Sequence, residues 1–204
     1  MSENAGRPTR RAAQAAQTRQ EILQAARRRF ATEGYAATSL KDIAADAGVS
    51  VQTLYDSVGS KADLVRRLND LIDSEADIFS IIAGVASETD PRALAAVPAR
   101  VTARLLGRCG DIMRACVAGG LADPGLQPLL EEGARRHRDG AAAIAARLGA
   151  LGALRKPLTV KQAAVTLAAL AEFRLAIVLV DDHGMSVAQV ERWITELSIR
   201  AVLD

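Results

Sequence analysis

From Ile22 onward the apolar positions fall at three- and four-residue intervals, the pattern of helices that each bury one stripe. Ile22, Leu23, Ala26 and Phe30 form the first stripe, and Glu33-Gly34 predicts its end, with Gly34 as the cap residue. Thr38 or Ser39 then caps a short helix that buries Leu40, Ile43, Ala44 and Ala47 and stops at Gly48. Ser50 caps a third helix over roughly 51–57. Gly59-Ser60 ends that one and opens a fourth, in which Leu64, Leu68, Leu71, Ile72, Phe79 and Ile82 keep one stripe going. Asp90-Pro91 predicts an N-cap followed by a first-turn proline, and a helix carrying Leu94, Val97, Val101 and Leu105 to about Arg108. Gly107 and Gly110 predict a break, then a shorter helix through Cys116. Beyond Asp123-Pro124-Gly125 the pattern predicts a long helix over 126–150, a loop at LGALRKPLT, a very apolar helix over 160–182 and an amphipathic one from Val187 to Leu203. No alternating run between turn signals predicts a strand, so the expected class is all-α.

The segment AGVSVQTLYDSVGSK, residues 47–61, sets a very short helix between two turn signals. A helix of that length is unstable alone and must be held by neighbours. Two short helices joined at Gly48-Val49-Ser50 fit a helix-turn-helix. Gly48 supplies a positive-φ turn, Val49 fills the angle between the helices, and Ser50 satisfies free N–H groups of the second. With Leu54 anchored inward, Val51, Gln52, Thr53 and Tyr55 face outward or obliquely. Such a helix suits the major groove, where Gln pairs with adenine and Thr touches a thymine methyl.

Composition and charge refine this picture. The 204 residues are 50% hydrophobic and only 3% aromatic, so the core must come from Leu, Ile, Val and Ala. Residues 1–30 hold seven Arg against two Glu, a surplus of five positive charges. With a chain total of +2, residues 31–204 therefore carry a net −3. A basic front on an acidic body predicts an end that meets a polyanion, with a solvated tail as the alternative. No uninterrupted apolar run reaches membrane-spanning length, and MSENAGRPTRR lacks the apolar core of a secretory signal, so the chain is expected in the cytoplasm, away from the membrane. No nucleophile–base set, phosphate loop or metal cluster stands out, so neither an enzyme nor a cofactor is predicted.

Residues 18–68 resemble the TetR family of bacterial transcriptional regulators. The resemblance is carried by Phe30 to Gly34-Tyr35, Thr38-Ser39-Leu40, Ile43-Ala44, Ala47-Gly48-Val49-Ser50, Thr53-Leu54-Tyr55 and Lys61 to Leu64. One departure is Asp56-Ser57-Val58, where the family often has an aromatic or His pair and then Phe. Val58 is expected to plug the core with less surface, and Asp56 to point away from DNA or to hydrogen-bond locally. The resemblance implies a flexible basic arm at 1–16, a three-helix DNA-binding domain at 17–62 and a helical effector-binding and dimerisation domain at 63–204. It implies DNA contacts by Thr38, Ser39, Lys41, Ser50, Val51, Gln52, Thr53, Tyr55 and Lys61, helped by Arg7, Arg10 and Arg11. The expected function is a repressor released from a near-palindromic double-stranded DNA operator by a small-molecule effector. An effector-independent or architectural DNA-binding protein is the alternative.

The last two long helices are expected to form a homodimer interface through Leu167, Ala171, Arg174, Leu175, Val178, Trp193 and Leu197, against the alternative of a monomer core. Arg104, Cys109, Met113, Cys116, His137 and Phe173 are candidate effector contacts. Cys109 and Cys116 lie seven residues apart, about 10.5 Å along a continuous helix, so a disulfide between them needs a break at Gly110. Small core residues are the other reading of the two thiols. His137 reads as a satisfied core histidine or as a polar group in a pocket.

Overall fold

The computed structural model describes residues 10–204; residues 1–9, including Arg7, lie outside the described residues. The chain is all-α, and the single extended pairing among the described residues is an isolated bridge between Leu154 and Leu203. Helix α1, Arg10–Ala37, starts earlier than expected. Residues 10–16, assigned to a flexible arm, belong to its first turns, because an Ala- and Gln-rich run propagates a helix readily once the following turns are packed. Gly34 leaves the helical region at φ 79°, ψ 166°, as its sequence position predicts.

Helices α2, Leu40–Asp46, and α3, Val51–Val58, form the helix-turn-helix. After α2 the N–H of Gly48 donates to Ala45 O and that of Val49 to Ala44 O, closing the last turn through a left-handed residue. Gly48 has φ +67°, a conformation that a side chain would strain. Helix α4, Lys61–Asn69, opens with a Ser60/Asp63 capping box.

The long fourth helix expected from the apolar stripe is broken. Residues 72–82 split into α5, Ile72–Ala76, and α6, Ile78–Ile82, at Asp77, which is left-handed at φ 49°. An aspartate tolerates this region better than most residues. The apolar spacing continues through such a break, so it gave no warning. A short α7, Pro91–Ala95, is followed by α8, Val97–Ala122, which runs through Gly107 and Gly110 with only a kink at Cys109 (φ −131°, ψ 17°). The break expected between these glycines is present, as a kink in α8 rather than a loop. Further along it, Gly119 permits contact: a Cβ there would meet Leu126 Cδ1 at 2.7 Å and Tyr35 Cδ2 at 3.2 Å. A 3-10 turn at Pro124–Leu126 leads into α9, Gln127–Ala150. The apolar stretch over 160–182 is two helices, α10, Val160–Leu170, and α11, Phe173–Asp181, because Glu172 is extended and caps α11 with its own side chain. The last helix is α12, Val187–Val202.

Helix α8 runs through the middle and touches α1, α4, α5, α6, α9, α11 and α12. Its Cys109, Ile112, Ala115 and Cys116 close a first core with Ile22, Phe30, Ile43, Leu54, Val58 and Leu68. Its Ala99 and Leu106 join a third with Ala171, Ala176, Val190 and Ile194. A second core joins α7, α9, α10 and the end of α12 around Leu94, Leu148 and Leu167.

The kink at Cys109 does not bring the two thiols together: Cys109 and Cys116 are both buried and free. Burial pushes the Cys116 thiol up to about 12 and raises that of Cys109 as well. Native protein at pH 8 is therefore expected to resist iodoacetamide at both cysteines, with stoichiometric labelling only in denaturant; mass spectrometry of the alkylated chain checks this.

Candidate functional site

The outward face of α3 is set by what the helix buries. Leu54 and Val58 point into the first core, so Val58 fills the place expected of a larger residue. The opposite side presents Val51 at 38% exposure and Tyr55 at 50%, with Gln52 and Thr53 exposed beside them. Ser50 accepts from Thr53 N at 3.0 Å, and its hydroxyl lies 2.8 Å from that of Thr53, so both side chains also fix the first turn. Gln52 Nε2 donates to Asp56 Oδ1 at 2.9 Å. Asp56 is thus engaged locally, and Gln52 is pre-extended along the helix surface.

At the start of α2, Ser39 accepts from Asp42 N, and Ser39 and Lys41 are both exposed. Arg10 and Arg11 lie exposed in the first turn of α1. Two expected DNA contacts are placed differently. Thr38 is buried and donates to Gly34 O at 2.8 Å, so it closes the α1–α2 corner rather than facing out. Lys61 is half-buried with Nζ 4.3 Å from the centre of the Tyr35 ring, donating to Ala36 O at 3.4 Å; burial lowers its pKa. Its charge serves the join between α4 and the end of α1.

Sequence reasoning missed the arginines of α1. Arg29 grips Asp46 at 2.6 and 2.8 Å and Glu33 at 2.6 Å, tying α2 to α1. Only the Arg29–Glu33 spacing of four was visible beforehand. Arg27 donates from Nη1 to both Glu75 oxygens at 3.0 and 2.8 Å, and from Nε and Nη2 to Asp111, the latter at 3.0 Å. Nη2 also reaches Arg108 O at 3.1 Å. One guanidinium therefore joins α1 to α5 and to α8 beside its kink. Two more ties cross between the reading helices and the body: Tyr35 Oη donates to Asp123 Oδ2 at 3.0 Å, and Arg66 donates to Gly125 O. Burial and the Asp123 carboxylate push the Tyr35 phenol up to about 12.

A cleft of about 770 Å³ lies between α6, the following loop, α8 and α12. Arg104, one of the candidate effector contacts, lines it. The other candidates do not converge there. Cys109, Cys116 and Met113 belong to the first core, and Phe173 packs against the third. His137 Nε2 donates to Ala168 O at 2.8 Å, pinning α9 to α10, which is the satisfied-histidine reading. Helical spacing placed these residues on the right elements but could not tell which core each one entered.

The expected dimer residues also divide. Leu167 and Ala171 are buried in their own protomer, and Ala171 O accepts from Thr102 Oγ1 at 2.9 Å, so neither reaches an outer face. Arg174, Val178 and Trp193 are exposed, Leu175 and Leu197 half-buried, and Val165, unforeseen, is 63% exposed. By length and apolarity Val160–Asp181 is sufficient to cross a membrane. Its break at Ala171-Glu172 and the packing of Ala163, Leu167 and Ala176 against the body make it half core, half outer face.

The family model described as "Bacterial regulatory proteins, tetR family" matches residues 22–68, from the first core residue of α1 to the end of α4. Over this segment the chain matches the TetR family. The HTH-type transcriptional regulator TtgR of Pseudomonas putida is 37% identical over 78 residues, which is 38% of this chain and 37% of TtgR's own length. Among solved structures, NalD of Pseudomonas aeruginosa, described as the secondary repressor of the MexAB-OprM multidrug efflux pump, aligns at TM-score 0.70 and 21% identity over 94% of this chain and 98% of its own. A SmeT–triclosan complex aligns at TM-score 0.70 and 20% identity over 92% of each chain. At that identity the two structures speak for the fold.

Arg27 holds the Asp111 carboxyl below its ordinary value: burial pushes it up, and the bonds from Arg27 and Ile112 N–H outweigh this. A carboxylate depressed in the folded state stabilises above its unfolded pKa of about 3.9, and that stability is lost as pH falls through the lower folded value. Urea unfolding between pH 7 and pH 3 is expected to show this loss below about pH 4. Asp111→Asn is expected to cost about 1–2 kcal/mol at pH 7, discounted for partial exposure, and to flatten that acid limb.

Proposed function

We propose that the chain is a transcriptional repressor that binds a near-palindromic operator as a homodimer and leaves it when a small molecule occupies the cleft. The observation that carries this reading is the helix-turn-helix itself: α3, locked inward by Leu54 and Val58, presents Val51, Gln52, Thr53 and Tyr55 as a continuous outer face. In the major groove Gln52 and Thr53 read base edges, while Tyr55, Ser39, Lys41, Arg10 and Arg11 meet phosphates. Thr38 and Lys61 act indirectly, by holding the corners that aim α2 and α3. The names of TtgR, a transcriptional regulator, and NalD, a repressor, support the same reading. The triclosan complex of SmeT supports a small-molecule effector. A regulator of this kind works in the cytoplasm, without catalytic chemistry.

The outer face of α10 to α12, where Val165, Arg174, Val178 and Trp193 stand exposed, supports dimerisation. Water-exposed apolar residues on adjacent helices are stabilised when a second copy covers them. The domain division then becomes functional. Residues 17–62 read DNA, 63–204 bind effector and partner, and α4 is shared between the two. Cleft occupancy shifts α8, and Arg27 passes that shift to α1, provided the effector binds the released state more tightly.

Fluorescence anisotropy on DNA flanking its own gene, over a salt series, tests the reading surface. Gln52→Ala and Tyr55→Ala are each expected to weaken specific binding by about tenfold with unchanged melting temperature. Unchanged affinity in both would remove α3 as the reading helix. Trp193→Glu is expected to convert a dimer to a monomer in sedimentation velocity and to abolish tight operator binding; a dimer that persists places the interface elsewhere.

A further inference from the structure

We propose that the cleft takes an organic anion, with its acid group held by Arg104 and Arg108 and its aliphatic body against Ile81, Val85, Val97 and Val187. This rests on reading the cleft as the effector site, and it adds the chemical class of the effector.

The argument starts from spacing. Arg100, Arg104 and Arg108 recur every four residues, so they share one face of α8, and all three line the cleft. Like charges at this spacing repel, so a helix that keeps three of them on one wall needs something to offset the repulsion. Their present partners do little of this. Arg100 donates to Ala93 O at 3.3 Å and Arg108 to Glu75 O at 3.1 Å, both neutral carbonyls. Arg104 stands 3.9 Å from Asp77, whose side chain is mostly in solvent. By contrast Arg114, further along the same helix, holds Asp181 with two bonds at 2.8 and 2.6 Å.

Two carboxylates also line the cleft. The side chain of Glu88 accepts from the N–H groups of Thr89 and Asp90 at 2.8 and 2.9 Å, so it is already engaged. Glu191 borders both the cleft and an adjoining hollow of about 470 Å³, as Arg100 does. That pair marks the end where the two hollows meet, which leaves Arg104 and Arg108 as the cationic seat. Gly107, also in the lining, keeps the wall beside them clear. Two guanidiniums rooted about 6 Å apart along the axis can share one carboxylate, sulfonate or phosphate through planar N–H pairs. An inorganic anion would leave most of the 770 Å³ and its Ile and Val wall empty, so the acid group must carry an apolar body.

Arg108 also links the seat to the reading helices. Its side chain bonds Glu75 O, while its own carbonyl accepts from Arg27. An anion that draws the Arg108 guanidinium toward the cleft acts on the residue that anchors Arg27.

The test is calorimetric titration of the full-length protein with decanoate, decanol and decyltrimethylammonium, which share one chain length and differ in charge. Operator release is followed in parallel by anisotropy. Decanoate is expected to bind about tenfold or more tightly than the other two, and Arg104→Gln with Arg108→Gln to bring it down to the level of decanol. Arg104→Lys should restore part of the loss, and unchanged melting temperatures in the variants confirm that the fold is intact. Equal binding of the alcohol or the cation, or decanoate affinity untouched in the double variant, overturns the anion seat; DNA release by either compound would leave the effector cleft standing. Tight, arginine-dependent decanoate binding that leaves DNA affinity unchanged supports the anion seat and removes its role as effector site. Binding by none of the three overturns the anion seat, and operator release by an unrelated compound then decides whether the effector reading falls with it.

Discussion

One helix has to satisfy two bodies at once, and the rest of the molecule depends on that constraint. Helix α8 contributes Cys109, Ile112, Ala115 and Cys116 to the core that holds the helix-turn-helix, and Ala99 and Leu106 to the core beneath α11 and α12. It can pack on so many sides because its buried positions include Ala99, Ala103, Gly110, Ala115, Gly119 and Gly120. Small residues let neighbouring helices approach until larger side chains from across the gap fill the space, as Tyr35 and Leu126 do at Gly119. A bulky residue at those positions would push the reading helices off the body.

Polar ties then decide how the two bodies sit. Apolar packing is tolerant of small rotations, whereas a guanidinium bonded to two carboxylates and a carbonyl holds a direction. Arg27 makes that arrangement at the kink of α8, and Tyr35 and Arg66 make smaller ones at its far end, through Asp123 and Gly125. Hydrogen bonds of the DNA-facing elements α2 and α3 lead to α1. These elements inherit their aim from α1, through Arg29 on Asp46, the Thr38 corner and the Arg19 bond to Ser57 O. A displacement of α8 thus reaches α3 by way of α1. The cleft lies against the same stretch of α8, so its wall and the interdomain tie meet at Arg108.

The outer face of α10 to α12 follows a different logic. The segment is apolar nearly all round, yet Glu172 breaks it and caps its second half. Inward positions such as Leu167 and Ala176 complete the protomer, while Val165, Val178 and Trp193 remain on its surface. A sequence apolar on every side shows that more than one face needs cover, but not which residue belongs to which cover.

By itself the sequence determined what is local. The Gly48 turn, the Ser50 cap, a cap at Thr38 or Ser39 that falls to Ser39, the inward Leu54 and the outward Gln52 and Tyr55 follow from short-range backbone geometry and helical period. The long helices over 126–150 and 187–203 were legible for the same reason. Tertiary structure alone decided the rest. It split the stripe at Asp77 and the apolar run at Glu172, where the spacing of apolar residues carries no signal. It turned Thr38 and Lys61 inward, distributed the candidate effector residues over separate cores, and brought Arg27 to Glu75 and Asp111. Those partners are far apart in the chain, and no local rule of spacing specifies a contact that only the packing of α8 creates.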